Sequence, residues 1–432
     1  MPTINVVGAG FSGLTTAYFL TKHNLKVRIF EKSTRPGGLI KTIRTEHGLV
    51  ETAANGLLSS ARVEAMCADI GVPLLPTRRE GRKRFIYRGK PRQLPLNIFE
   101  TLKAGVRLAA HAMNLKPLPF ESIAAWGRRV GGMAATDYLL TPALGGIYAG
   151  DPERLSASLI FGKANLPDHL GTKSPTKGKL HGTVAPPHGM QQLIDGLHDY
   201  LERAGAEFVF GQQERASANQ PTIVCLSARD AGEYLEDVAP ELSAALRRIE
   251  MLSLATVTCF YPDGRGTSPT VREGPSTQAE SGALPNSRAN ARRAAKLNGF
   301  GCLFPRDQGF RARGVLFNDS IFEGRGPAHA ESWIFGGALD PDVVDLNDDQ
   351  FARMIASERE RFYGVRDEPL AVHVTRWPNA LPHYTIDLER LLTTLMAPPA
   401  DISLVGNYLG RIGLAKILER AAVVAEQFND SQ

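Results

Sequence analysis

The chain has little cysteine, no long apolar run and little excess of either charge. Its four cysteines, Cys67, Cys225, Cys259 and Cys302, are widely separated in 432 residues and show no C-x-x-C spacing. That excludes a disulfide framework and argues against structural zinc. They read as reduced, mostly buried thiols of a cytoplasmic protein. No stretch of about 18 uncharged apolar residues occurs, so no transmembrane helix is expected. Residues 1–8 lack a basic leader and pass straight into a strand pattern, so no signal peptide is expected. Fifty Lys and Arg against 45 Asp and Glu leave a formal net charge of +5. So mild a basic excess suits an anionic substrate or an anionic membrane surface, and is too dispersed to argue for nucleic acid. No Ser-His-Asp arrangement with a local signature and no metal-ligand cluster stands out. His188 and His383 read as loop or packing histidines.

What is present is concentrated at the start. Ile4-Asn5-Val6-Val7 is a short β-branched run, followed by Gly8, Gly10 and Gly13 in G-x-G-x-x-G spacing. Leu14, Ala17, Tyr18 and Leu20 then recur at helical steps. A second apolar run, Val27 to Phe30, ends on Glu31. This is a βαβ unit for a dinucleotide. Gly8 permits the tight turn, Gly10 the close approach of backbone to a pyrophosphate, and Gly13 the packing of helix on strand. The first helical turn, including Phe11 and Ser12, offers unpaired N–H groups to the phosphates. Glu31 is placed to accept hydrogen bonds from a ribose diol, with Lys32 beside it. Gly37 and Gly38 follow directly.

Further on, residues 39–52 read as a hairpin leading to a loop, Glu51 to Asn55. Residues 61–71 read as a helix and Arg84 to Arg88 as a strand within a basic cluster. Residues 99–115 read as an amphipathic helix, either covering a core or lying on a membrane surface. Lys163 to Pro187 reads as an exposed polar loop. A helix opens at Gly189-Met190. Residues 251–261, 299–305, 314–322, 331–337 and 372–377 read as strands, with a helix from 347 to 363. Residues 262–298 have almost no apolar periodicity and read as a flexible insertion. A second strand–glycine–helix unit closes the chain: Ile402 to Val405, then Gly406, Asn407 and Gly413, then a helix from Leu414. Its N-terminus could stabilise negative charge on a bound cofactor.

Taken together, these segments resemble the protoporphyrinogen and coproporphyrinogen oxidase family of the FAD-dependent amine-oxidase superfamily. The resemblance covers most of the chain. Its specific carriers are GGIYAGD at 145–151, GFGCLFP at 299–305, GGA at 336–338 and WPNALPHY at 377–384. The glycine pair Gly37-Gly38 after the acidic strand points the same way. The resemblance implies FAD, held at Gly8, Gly10, Phe11, Ser12, Gly13, Glu31, Lys32, Gly37, Gly38, Glu51, Gly406, Asn407, Gly413 and Leu414. It implies Arg84 against a substrate propionate, Asn55 beside the reacting bridge carbon and Tyr384 near the substrate. The expected fold is α/β: a discontinuous Rossmann-like FAD-binding domain (1–78, 188–248, 385–432), an α+β substrate-binding sheet domain (249–384) and a helical, membrane-associating part (79–187).

The implied activity is oxidation of protoporphyrinogen IX, with hydride passing to the flavin and oxygen as acceptor, by a monomer or homodimer. Coproporphyrinogen III stays open as the substrate, with Arg79, Lys83 and Arg88 as candidate extra carboxylate partners. An amine oxidase, a desaturase and a catalytically silent FAD- and porphyrin-binding scaffold are the other readings. The protein is expected in the cytoplasm or peripheral to a membrane.

Overall fold

The computed structural model describes residues 3–161, 176–212, 220–262, 297–410 and 412–430. The expected insertion at 262–298 lies almost wholly outside them.

Short β-branched runs can be buried on both faces only in a parallel sheet covered by helices, and the chain builds one. Five parallel strands run in the order Glu207–Phe210, Val27–Glu31, Ile4–Val7, Thr222–Val224 and Ile402–Leu404. Helices Phe11–Lys22, Gln191–Arg203 and Leu414–Asp430 cover one face. Residues of 228–249 and helix Ile386–Leu395 cover the other. Ile223 falls in the first core and Val224 in the second, as successive residues of a doubly covered strand must. Three separated stretches of sequence thus supply one sheet. The chain leaves the strand Ile4–Val7 toward one side, for Val27–Glu31, and returns on the other at Thr222–Val224. A crevice opens at that reversal, beyond the carboxyl ends of the strands.

The second sheet is larger and mixed. Its order is Ala371–Pro382, Met251–Tyr261, His329–Gly336, Gly314–Phe317, Gly301–Leu303, Arg84–Tyr87 and Pro91–Arg92. All pairs are antiparallel except Gly301–Leu303 with Arg84–Tyr87. Helix Asp348–Tyr363 closes its back, packing Phe351 on Phe335 and Phe362 on Trp333.

Three local expectations change. The polar stretch 163–187 contains a strand, Thr183–Ala185, paired with Leu57–Leu58 and Leu75–Pro76. The strand pattern of 314–322 stops at Phe317 and turns into a short helix, Asn318–Ile321. The helix expected at 99–115 is Ile98–Ala110, started by an Asn97–Glu100 capping box. It covers no core: Ala104 is its single buried residue, and Ile98, Phe99, Leu102 and Val106 are 61–78% exposed.

Candidate active site

Each glycine of the first turn does a different job. Gly8 has φ +101°, and a Cβ there would meet the Cys225 carbonyl oxygen at 2.8 Å. At Gly13 a Cβ would come to 1.8 Å from the Gly8 oxygen, which helix and strand could not absorb. Gly10 faces open space: nothing lies within 4 Å of the position its Cβ would take. No side chain caps helix Phe11–Lys22, so the N–H groups of its first turn remain available to a ligand. The Phe11 ring is buried in the core, so only its backbone serves the turn, and Ser12 is half-buried beside it. Gly37 and Gly38, both at positive φ, fold over this turn. The Gly37 N–H donates to the Ala9 oxygen at 2.8 Å.

Glu31 is buried and held from two sides. One oxygen accepts the Ala9 N–H at 2.8 Å; the other accepts the Ser33 N–H at 2.9 Å and the Ser33 hydroxyl at 2.8 Å. A carboxylate has about four acceptor positions, so one remains for a ribose hydroxyl. Lys32 is at the surface, 3.5 Å from Asp230. Gly413 mirrors Gly10. It has φ +98°, open space around it, and begins a helix with no acid in its first turn. That helix, from Leu414, packs against Phe11–Lys22, and both follow parallel strands of one sheet. Two glycine-headed helix starts therefore share the same edge, as a long dinucleotide requires.

Glu51 has a structural task. It is buried and bonded to Arg325 at 2.8 Å, to the Thr42 hydroxyl at 2.7 Å and to the Met190 N–H at 3.0 Å. It ties hairpin, loop and helix together behind the crevice, and it presents no free carboxylate. Asn55, half-buried, sits four residues further along the same loop. Trp377 reaches this loop from the far edge of the large sheet and donates to the Thr52 carbonyl at 2.7 Å. Next to Asn55, Gly56 lies against Phe322, just after the short helix Asn318–Ile321.

Arg84 opens the strand Arg84–Tyr87, paired across strands with Gly301. Its guanidinium stacks at 4.1 Å over the Phe300 ring. No carboxylate or carbonyl among the described residues takes its protons. Arg88 is different: Glu100 holds it through two bonds of 2.6 and 2.8 Å, and the Tyr138 ring stacks on it. It is spent on anchoring helix Ile98–Ala110 and is not an extra carboxylate partner.

Tyr384 is inside the fold. It is fully buried, lies edge-on to Tyr148 at 5.1 Å, and donates its hydroxyl to the Asn407 carbonyl. This bond ties the WPNALPHY stretch to the Gly406–Gly413 loop. His383 is buried too and packs between segments, as expected.

The sequence reading missed Arg325 and Arg313. Arg325 partners Glu51 from 274 positions away, and no local pattern marks it. Arg313 lies in the run Arg306-Asp307-Gln308-Gly309-Phe310-Arg311-Ala312-Arg313, whose density of cations was a visible signal.

The comparisons agree with this geometry. Residues 6–70 match the NAD(P)-binding Rossmann-like domain family. Over 98% of its length the chain is 24% identical to the chloroplastic protoporphyrinogen oxidase of Nicotiana tabacum, covering 84% of that protein. Over 95% of its length it is 24% identical to the coproporphyrinogen III oxidase of Mycobacterium bovis, covering 93% of it. The cyclohexylamine oxidase of Brevibacterium oxydans superposes with a TM-score of 0.70 at 14% identity, covering 100% of this chain and 99% of that one.

Fold and cradle together define a Rossmann-like dinucleotide-binding architecture that shares its overall fold with that amine oxidase. Along nearly its full length the sequence is similar to a protoporphyrinogen oxidase and to a coproporphyrinogen III oxidase, and FAD is a dinucleotide that the paired helix starts accommodate.

Proposed function

We propose that the chain oxidises a porphyrinogen. Hydride leaves a saturated bridge carbon, and tautomerisation with two further rounds completes the aromatic ring. FAD, when bound, supplies the hydride acceptor, and oxygen takes the electrons onward as hydrogen peroxide. The protein's own share is position and charge. Gly10 and Gly413 leave room for the pyrophosphate and its neighbours. Glu31 takes the ribose, and Asn55 stands on the loop beside the reacting carbon. Arg84 anchors a propionate.

The observation that carries this reading is Arg84. An exposed guanidinium with no partner among the described residues, stacked on an aromatic ring at the mouth of the large sheet, awaits an anion. The resemblance puts protoporphyrinogen first. Whether two or four carboxylates are read depends on a second anchor.

The holoprotein, mixed without air with a porphyrinogen, is expected to bleach its flavin absorbance and to give porphyrin fluorescence when air is admitted. A yellow protein that never bleaches supports the silent scaffold. Bleaching by amines or polyenes alone supports the amine-oxidase or desaturase reading.

A peripheral membrane contact completes the proposal. No described helix is long and apolar enough to cross a membrane. Helix Ile98–Ala110 nonetheless exposes Ile98, Phe99, Leu102 and Val106, and Met113, Leu118 and Phe120 extend the apolar surface beyond it. Lys103 and Arg107 border it. This is the composition of a helix lying in a lipid interface, which suits a substrate with an apolar macrocycle and charged propionates.

A further inference from the structure

A cationic cleft lies at the end of the large sheet, apart from the site already described. It has a volume of about 270 Å³ and is walled by Pro142, Gly145, Phe304, Phe310 and Leu339. Strand alternation separates it from Arg84. Arg84 pairs with Gly301. Phe304, three residues on, turns to the other face, where its ring stacks on Phe310 at 4.1 Å. The Phe304 N–H donates to the Arg313 carbonyl at 2.9 Å, so Arg313 shares the face of Phe304 and not that of Arg84.

Three arginines line the cleft: Arg306, Arg311 and Arg313. Arg311 is spent, because Asp340 accepts from its Nε at 3.0 Å and from its Nη2 at 2.9 Å. Arg306 and Arg313 have no bonded carboxylate among the described residues. Asp151 and Asp340 act on Arg306, and Asp340 on Arg313, only from beyond bonding distance. Arg313 is fixed by its Nε, which donates to the Gly336 carbonyl, while its buried Nη2 has no partner. A Cβ at Gly337 would come to 2.5 Å from that nitrogen, so the glycine keeps its surroundings free of side chain. Burial and the neighbouring Arg306 push the Arg313 guanidinium down to about 10. Two cations held together without a bonded anion are an unfavourable arrangement.

We propose that Arg306 and Arg313 form a binding site for a phosphoryl dianion, free phosphate or the phosphate end of a small monoester, separate from the porphyrinogen site. A phosphate ester carries about −1.5 to −2 charge at pH 7 and three strong acceptor oxygens. That matches two guanidinium forks that lack a bonded anion. A carboxylate brings one charge and answers one of them. The cleft is smaller than the roughly 300–1,000 Å³ of sites for drug-sized ligands, so its ligand is small. An occupant would join helix Thr141–Tyr148, at Gly145, to the sheet segments that carry the arginines, and should raise the melting temperature.

The test uses the FAD-loaded full chain at constant ionic strength, with its cofactor cradle filled. Calorimetric titrations with inorganic phosphate, glycerol 3-phosphate and acetate compare wild type with Arg306→Gln, Arg313→Gln and Arg84→Gln. A single saturable phosphate site per chain is expected, with acetate about tenfold weaker or more. Arg306→Gln and Arg313→Gln are expected to weaken phosphate about tenfold or more and to remove its effect on the melting temperature. Arg84→Gln should leave phosphate binding unchanged. Arg306 is exposed, so its variant keeps the test decisive if Arg313→Gln proves unstable, and an unchanged flavin spectrum checks the fold of each. Tighter binding of the ester supports a metabolite as the occupant, and equal binding supports the free ion. No saturable phosphate binding, acetate as tight as phosphate, or an equal loss with Arg84→Gln and Arg306→Gln overturns the site.

Discussion

His383 accepts the Asp151 backbone N–H on its Nε2 at 3.1 Å. One residue belongs to WPNALPHY, the other to GGIYAGD, and 232 positions separate them. The His383 Nδ1 lies 3.2 Å from Glu250, which Arg154 also holds. Tyr384 extends the contact to the Asn407 carbonyl. The two most specific stretches of the sequence thus meet each other before they meet any ligand. Their joint product is the placement of the Gly406–Gly413 loop at the crevice.

His383→Ala would leave the Asp151 N–H buried without an acceptor and open a cavity, costing about 3 kcal/mol. His383→Gln, which keeps an acceptor, should recover part of it. Burial holds this imidazole below its ordinary value. Lowering the pH through the unfolded-state value near 6.5 therefore protonates the unfolded chain first and weakens the fold. Urea midpoints between pH 7.5 and 5.5 check the sign: the wild type should lose stability more steeply than His383→Gln.

Gly10 and Gly13 should separate binding from folding. Gly13→Ala drives a methyl into the Gly8 carbonyl, so loss of soluble protein or a large fall in melting temperature is expected. Gly10→Val meets open space and should fold, yet fill the place left for phosphate. Flavin content per chain measured by absorbance distinguishes them. A yellow Gly10→Val protein of normal stoichiometry would remove the cradle from this edge.

The parallel sheet was legible because its signals are local. A glycine spacing, two β-branched runs and an acid at a strand tip placed Gly8, Gly10, Gly13 and Glu31 in one βαβ unit. The large sheet was legible strand by strand but not in its order, since alternation says nothing about partners: Gly301 beside Arg84 is a pairing across 217 positions. Glu51 and Tyr384 sit in family motifs, and polar or aromatic residues there look alike whether they face a crevice or a core. Their partners Arg325 and Asn407 are not marked by any local pattern. The exposed stripe of Ile98–Ala110 followed the helical period, but periodicity gives a stripe without saying what covers it.

Arg84→Gln removes a charge that no described carboxylate uses. Stability should change by no more than about 0.5 kcal/mol, and the flavin spectrum should be unaffected. KM for the porphyrinogen should rise tenfold or more with kcat nearly unchanged, the signature of lost uniform binding. A change in melting temperature without a change in KM would make Arg84 a structural residue.

Glu331 sets an acid limit on the fold. It is fully buried, bonded to Arg359 at 3.0 Å, to Trp333 at 3.0 Å and to His329 at 3.1 Å. Burial opposes its ionisation, but Arg359 and His329 outweigh it and hold the carboxyl down at about 2. Its stabilisation is complete above the unfolded-state value near 4.3 and is lost as pH falls from there toward 2. Glu331→Gln removes the buried charge partner of Arg359, leaving it only the half-exposed Asp367 at 3.4 Å, and should cost about 3 kcal/mol at neutral pH. It should also flatten the loss of stability between pH 4.3 and 2. Denaturant unfolding at four or five pH values in that window reads both effects.

Helix Ile98–Ala110 should carry the membrane contact without touching the chemistry. Phe99 and Leu102 lie one turn apart on its exposed side, and the helix is tied to the body through the Arg88–Glu100 pair. Phe99→Glu with Leu102→Glu puts two like charges where lipid would lie, while removing no buried contact. Wild-type protein should pellet with vesicles rich in anionic lipid, and less so as salt rises, because Lys103 and Arg107 border the stripe. The double variant should stay in the supernatant and still bleach with detergent-dispersed porphyrinogen at an unchanged rate. Equal pelleting of both proteins would show that this face does not meet lipid, and a slowed variant in detergent would place the helix in the substrate's path instead.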